Sequence, residues 1–434
     1  MTEPIVNVIG AGLAGCEAAY QLASRGIRVR LVDMKPNRLS PAHKLGSFSE
    51  LVCSNSLRSD NIENAVGLLK EELRRLNSLI MRSADKTRIP AGGALAVDRT
   101  GFSEFITDEL KNNGNVEIVS EEIKRIPDGY TVIATGPLTD GELLRDVEKV
   151  TGACLHFHDA AAPIVSRDSI DMDKVFFLSR YDRGEDYLNC PMNAEEYFGF
   201  VRELVKAETA PLHEFETPKV FEGCMPVEVM AKRGEMTLAY GPLKPVGLVD
   251  PCTGKQPFAV VQLRRDNEAG TLYNMVGFQT NLKFGEQKRV FSMIPGLEKA
   301  EFIRCGVMHR NSYMESPGKL TPWFEFKGRE GLFFAGQITG VEGYVESAAS
   351  GFVAGVNMAR RVRGEAMLDF GASTAIGSLG HYVSEYNGSD FQPMNVTFGI
   401  MDPPETRIRS KKERCAYIAK RSLALINEYT EGVL

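Results

Sequence analysis

The chain opens on a change of period. Residues 6–9 form a short apolar run, and Gly10-Ala11-Gly12-Leu13-Ala14-Gly15 follows at once. Residues 16–23 place Ala18, Ala19 and Leu22 at helical spacing, and Gly26 ends that element. A second apolar run over 27–32 closes on Asp33. The pattern predicts strand, tight turn, helix, strand and acid. Residues 64–79 predict an amphipathic helix, with Leu68, Leu69, Leu73 and Leu76 inward and Lys70, Glu71, Arg74 and Arg75 outward. Residues 89–98 read as a glycine turn entering a strand, 102–110 as a helix, and 116–119 and 130–136 as strands. From about residue 151 this rhythm stops, and 156–257 is mixed and rich in proline and aromatics. Residues 331–336 restore a strand ending on glycine, and 345–361 read as a helix. Residues 365–402 look like a small appended unit, and 407–434 like a basic-then-apolar helix.

These elements predict an α/β chain: a Rossmann-like FAD-binding domain interrupted by an inserted mixed α/β domain. The expected division is 1–150, an insertion over 151–300, a return over 301–364 and a C-terminal segment over 365–434. The physics of the first turn is specific. Gly10 permits the tight turn, Gly12 lets backbone approach a pyrophosphate, and Gly15 lets helix pack on strand. The helix N-terminus offers N–H groups to phosphate, and Asp33 a carboxylate to a ribose hydroxyl. A glycine-rich packing turn alone would not require Asp33. Gly336, Gln337, Gly340, Gly343 and Tyr344 form a second glycine turn before a helix carrying Ala348, Ala349, Gly351, Ala354 and Gly355. Gly136 ends the strand between them. Two half-sites far apart in sequence fit an extended FAD better than NAD, which needs only the first.

Composition narrows the chemistry. No window approaches eighteen uninterrupted apolar residues, so no transmembrane helix is expected. The eight cysteines, at 16, 53, 154, 190, 224, 252, 305 and 415, form no C-x-x-C pair, which speaks against metal or redox pairs. Scattered thiols without a signal-peptide pattern suggest a cytoplasmic protein. The formal net charge of -6 argues against bulk attraction to nucleic acid, so an RNA partner needs a local patch.

Several stretches carry a resemblance: PAHKLGSFSELVCSNSL, PAGGALAVDR, YLNCPM, FEGCMPVEVMAKRG, GPLKPVGLVDP, VVQLR, VGFQTNLK, GVMHRN and AGQITGVEGYVESAASG. With the opening glycine turn they resemble the folate- and FAD-dependent tRNA (uracil-5-)-methyltransferases, within the GidA-related flavoproteins. The likeness runs along nearly the whole chain. The early element order is also similar to the glutathione-reductase-like fold, in which the A-T-G ending at Gly136 returns the chain to the cofactor and Asp98-Arg99 opens the next helix. One departure is Asp33, where this family leads one to expect glutamate; either acid can bind ribose. The resemblance implies methylation of uracil C5 in the tRNA T-loop, 5,10-methylenetetrahydrofolate as carbon donor, FAD as the redox cofactor, and NADH or NADPH as reductant.

That reaction needs a nucleophile for uracil C6, because C5 becomes nucleophilic only in the adduct, and a base for the C5 proton. Cys224 is the first candidate nucleophile, just before a helix expected over 227–233, where a thiolate is favoured. Glu222 and Glu228 oppose it. Cys53, followed by the cap-type residues Ser54, Asn55 and Ser56, is the second thiol, which the resemblance places near the flavin as base or auxiliary thiol. Either cysteine can equally be a small buried hydrophobe. Tyr344 is a candidate to stack on or cover the flavin ring, or a packed tyrosine. His309 and Asn311 are candidates for a pterin, and Lys283 and Arg310 for folate carboxylates; structural roles stand beside these. For RNA, residues 407–421 hold seven basic residues and one acid with Tyr417 among them, and Lys283, Lys288 and Arg289 form a weaker group. A solvated helix face is the plainer reading of both. The alternatives are the same chemistry on a ribosomal uridine, an NAD(P)H-dependent flavin oxidoreductase acting on a small molecule, and a non-catalytic RNA-binding module that retained FAD; wobble-uridine modification would lead one to expect a longer helical C-terminal region.

Overall fold

The computed structural model describes residues 4–40, 42–152, 154–181, 184–210 and 225–432, with the side chains of 157–159, 309 and 310 left aside. Strand β1 (Ile5–Ile9), helix α1 (Leu13–Ser24) and strand β2 (Arg28–Asp33) form as the opening pattern predicts. They belong to a five-stranded sheet ordered Leu332–Phe334, Thr131–Ile133, β1, β2, Val116–Ser120. Every pairing is parallel, and Ile9 lies beside Ile133, which lies beside Phe334. The carboxyl ends of three strands therefore meet at one edge, where open α/β sheets bind ligands. Helix Tyr344–Arg363 packs along α1 through glycine. A Cβ at Gly355 would stand 2.8 Å from Ala18 O, and one at Gly351 would overlap the backbone of Ala14.

Three local expectations fail for tertiary reasons. The predicted helix 64–79 stops at Arg75, because Asn77 turns left-handed (φ 58°) and Ser78 caps a second helix, Leu79–Lys86. Lys70, expected outward, is fully buried, and its ammonium donates to Leu57 O at 2.8 Å and Ser59 O at 2.6 Å. Ser54 to Ser56 start no helix; they lead into strand Ser56–Ser59.

Between the two halves of the parallel sheet lies a wholly antiparallel one. Its order is Phe176–Phe177, Tyr187–Met192, Ala259–Arg265, Leu272–Met275, Ile164–Ser166, Phe302–Arg304. Helices Ala194–Lys206, Val227–Lys232 and Phe284–Phe291 flank it, and it has its own core, including Leu188, Phe200, Val261, Phe278 and Phe291. Strands Cys154–Ala160 and Met308–Met314 pair as the ribbon between the two bodies. The C-terminal helices Ala375–Glu385 and Lys411–Gly432 add Leu379, Val383, Ile418 and Ile426 to the larger core. Buried Glu72 ties both down: it accepts Ala375 N and Ile376 N at 2.8 Å and the Ser422 hydroxyl. Among the described residues no helix is long and apolar enough to cross a membrane.

Candidate active site

The glycines of the first turn divide by what surrounds them. Gly10 (φ 100°) and Gly15 are closed in by protein: a Cβ on Gly10 would sit 2.5 Å from Ala134 O, and one on Gly15 would overlap Gly10 O. Gly12 has nothing within 4 Å of such a Cβ. It is the N-cap of α1, no side chain caps it, and the first turn holds no acid. The N–H groups that begin at Leu13 and Ala14 thus start beside open space with no capping side chain, which fits a phosphate. Asp33 accepts Ala11 N at 2.6 Å and Lys35 N at 2.9 Å, one on each oxygen. A carboxylate oxygen keeps a second lone pair, so Asp33 stays able to take a ribose hydroxyl while bracing the turn.

The second glycine turn reaches the same edge. Gly336 (φ 83°) follows Phe334, its Cβ position 3.1 Å from the Ala14 methyl, and Gly136 (φ 74°) has open space beside it. Gln337 donates to Glu342 at 2.8 Å, and Gly340 (φ 90°) leaves room for the Phe391 ring. Gly343 (φ 108°) caps helix Tyr344–Arg363. Glu346, fully buried in that first turn, is paired with Arg58 and accepts Val396 N at 3.0 Å. Both half-sites therefore face one edge of one sheet, and the residues fit the expected flavin dinucleotide.

Tyr344 does not simply pack. Its hydroxyl accepts Cys53 N at 2.8 Å and Ser54 N at 3.3 Å and lies 3.0 Å from Cys53 Sγ. Burial and the adjacent thiol push the phenol well above its ordinary range. Around Cys53 the chain is held from two sides. Arg99, at the start of helix Arg99–Lys111, donates to Leu51 O and, at 3.2 Å, to Val52 O, and it pairs with Asp266 at 2.8 Å. Arg264 donates to Ser54 Oγ at 2.8 Å and to Asn55 Oδ1 at 3.1 Å. Asn55 in turn donates to Val97 O and Arg265 O.

Cys224 lies outside the described residues. The helix after it is Val227–Lys232, entered from Pro226 and followed by Gly234. Glu228, read as opposing a thiolate, is buried and pushed up by desolvation, while accepting Thr280 Oγ1 and Asn281 N at 2.8 Å. That binds the QTNL stretch to the helix. Lys283 is exposed, precedes helix Phe284–Phe291 and pairs with Glu208 at 2.6 Å. Arg289 is likewise engaged, by Glu203 and Glu286. His309, Arg310 and Asn311 lie on the linking strand opposite 159, 158 and 157, and Asn311 is buried. Cys16, Cys154 and Cys415 are buried; desolvation raises Cys16 to about 12 and Cys154 to about 11, as inert thiols require. Sequence reasoning passed over Arg99, Arg264 and Asp266. The only signals were the DR after a strand and the arginine ending VVQLR, read as a helix start and as family likeness.

Comparison with known proteins gives the family. A sequence profile described as glucose inhibited division protein A matches residues 5–366. A protein of Acetivibrio thermocellus named methylenetetrahydrofolate--tRNA-(uracil-5-)-methyltransferase TrmFO is 60% identical over 98% of each chain. One of that name from Halalkalibacterium halodurans is 58% identical over 99% of this chain and 100% of its own. A crystal structure of Aquifex aeolicus GidA superposes with a TM-score of 0.66 at 18% identity, covering 98% of this chain and 73% of that one. The last shares the fold. The chain belongs to the glucose inhibited division protein A family and, within it, to the methylenetetrahydrofolate--tRNA-(uracil-5-)-methyltransferase TrmFO group.

Proposed function

We propose that this protein methylates C5 of the T-loop uridine of tRNA in the cytoplasm. It would draw the carbon from 5,10-methylenetetrahydrofolate and the electrons from NADH or NADPH through FAD. The observation that carries this reading is the pairing of the Cys53 thiol with the phenol of Tyr344, which stands at the second glycine turn, within a chain alike end to end to proteins of that name. Bound FAD supplies the two electrons that take the one-carbon unit from the methylene to the methyl level. Gly12 and the start of α1 would hold its pyrophosphate, Asp33 its ribose, and the turn ending at Gly343 its ring end.

The protein's own groups do the rest. Cys224 thiolate adds to uracil C6 and the electron pair moves to the C4 carbonyl oxygen, so C5 becomes nucleophilic. Once C5 carries the carbon, its proton must leave, and the thiolate is expelled as the C5–C6 double bond re-forms. Cys53 as thiolate is the base in this reading. Tyr344, held protonated by burial, stabilises that thiolate as a hydrogen-bond donor. Folate contacts fall to His309, Arg310 and Asn311 on the linking strand. Lys283 would have to leave Glu208 to take a folate carboxylate.

A purified sample should absorb as a flavoprotein. Incubation with 5-fluorouracil-containing T-loop RNA, methylenetetrahydrofolate and NADPH should trap RNA on the peptide containing Cys224. Trapping on Cys53 instead would exchange the two roles, and modification mapping in a strain lacking the gene that shows loss of a ribosomal methyluridine alone would move the substrate. A colourless protein that takes up no flavin refutes the proposal.

A further inference from the structure

Two buried ion-pair partners outside the chemistry above draw notice because such pairs rarely add stability. Removing two charges from water costs about what their attraction returns, so a buried pair is better explained by the geometry it imposes. Arg99 and Asp266 are 8% and 5% exposed. Their contacts are bidentate, Nη2 to Oδ1 at 2.8 Å and Nε to Oδ2 at 3.3 Å. The two residues come from different bodies. Arg99 opens a helix of the parallel-sheet body, and Asp266 follows strand Ala259–Arg265 of the antiparallel sheet. The remaining nitrogen of the fork, Nη1, goes to the carbonyls of Leu51 and Val52. Those are the two peptides before Cys53, whose own N–H is taken by Tyr344.

We propose that Arg99 and Asp266 are positioning residues for Cys53: their pair fastens the antiparallel sheet to the backbone carrying the thiol, and fixes both its direction and the charge beside it. This rests on the reading of Cys53 as a working thiol. Five elements set the charge around it. Arg99 comes from its helix, and Tyr344 from the helix after the glycine turn. Arg264 and Asp266 come from the strand and its end. Arg304 comes from strand Phe302–Arg304, with Glu50 on the near loop. Arg99 interacts with both Cys53 and Tyr344 and is balanced by its ion pair with Asp266, while Arg304 interacts with Tyr344 and Asp266. Removing Asp266's charge leaves Arg99 uncompensated beside the thiol. Removing Arg99's charge leaves a carboxylate there instead. The two changes push the thiol in opposite directions, whereas a merely structural role loosens both variants alike.

The test is iodoacetamide labelling of Cys53 in the full-length, flavin-loaded protein between pH 6 and pH 10, quantified on the peptide containing it. Asp266→Asn should move the midpoint of the labelling rate to lower pH, and Arg99→Gln to higher pH, each by at least half a unit. Arg99→Lys should return part of the shift. Equal midpoints in all variants, or shifts of the same sign, overturn the proposal. Should Arg99→Gln not fold, the pair Arg99→Lys and Asp266→Asn carries the same comparison: Asp266→Asn must go down in pH while Arg99→Lys stays at or above wild type. Labelling needs neither RNA nor folate. A wild-type protein that fails to methylate RNA would therefore overturn the functional reading while these shifts remain readable.

Discussion

At the residue scale the decisive contact is the hydroxyl of Tyr344 on Cys53. Tyr344→Phe keeps the ring and removes the one group that accepts both Cys53 N and Ser54 N. Methylation should fall by about a hundredfold or more, in the range of a lost charge-stabilising hydrogen-bond donor, while the flavin content of the purified protein stays at wild-type level. Equal turnover would leave Tyr344 as packing. A second residue reports on pH. His381 lies 3.1 Å from Asp369 and 2.9 Å from Glu385, and the hydrogen bond to Asp369, with help from Glu385, raises its pKa from 6.5 to about 9. The proton is bound more tightly in the folded state. The stabilisation is therefore complete below pH 6.5 and disappears as pH rises through about 9. Because water screens the partly exposed pair, about 1 kcal/mol is expected. His381→Asn should lower the thermal midpoint at pH 6 and leave it unchanged at pH 10.

At the scale of elements, the cofactor edge depends on how closely α1 and helix Tyr344–Arg363 approach. Gly351 lies against the backbone of Ala14, and Gly355 against that of Ala18. Neither partner atom is a side chain that can turn away. Gly351→Val should push the helices apart, and since Ala14 and Gly343 lie on the two glycine turns, flavin should be lost before the fold is. The ratio of flavin to protein absorbance, compared with far-ultraviolet circular dichroism, separates these. Retained flavin at full occupancy would mean that the turns are held by something else. The small residues of this helix predict the close approach of a flat group or of another backbone, and the structure puts the backbone of α1 there. The period over 64–79 predicts one helix; Asn77 divides it, and the carbonyls of Leu57 and Ser59 draw Lys70 inward. A 3.6-residue period says which residues share a face, not what that face will meet.

Over the whole molecule, an acidic chain must meet RNA through a local surface. Lys411, Lys412, Arg414 and Lys420 are exposed on helix Lys411–Gly432, with Tyr417 among them. Lys283 and Arg289 are already paired with acids. Lys412 also meets Glu63, at 3.8 Å, so Lys411, Arg414 and Lys420 are the candidate RNA contacts on this helix. Replacing Lys411, Arg414 and Lys420 together by glutamate should weaken tRNA binding by at least tenfold in 0.1 M salt and flatten its salt dependence. NADPH-driven flavin reduction without RNA should not change. Unaltered tRNA affinity would direct the search to another face.

Short-range features of the fold are legible in the amino-acid order. The G-x-G-x-x-G turn between two strands, the acid at 33 and the second glycine turn at 336–343 are each written within a few residues, because turn geometry and helix periodicity are short-range. Family likeness added which cysteines to watch. Which groups meet follows from the docking of distant elements. Cys53 and Tyr344 are 291 positions apart, and Arg99 and Asp266 are 167 apart. Such pairs form when two cores dock, and no period in the chain encodes them. A buried charge is tolerated only where another element supplies its partner, so Lys70, Glu72 and Arg99 reveal their roles only in the folded protein.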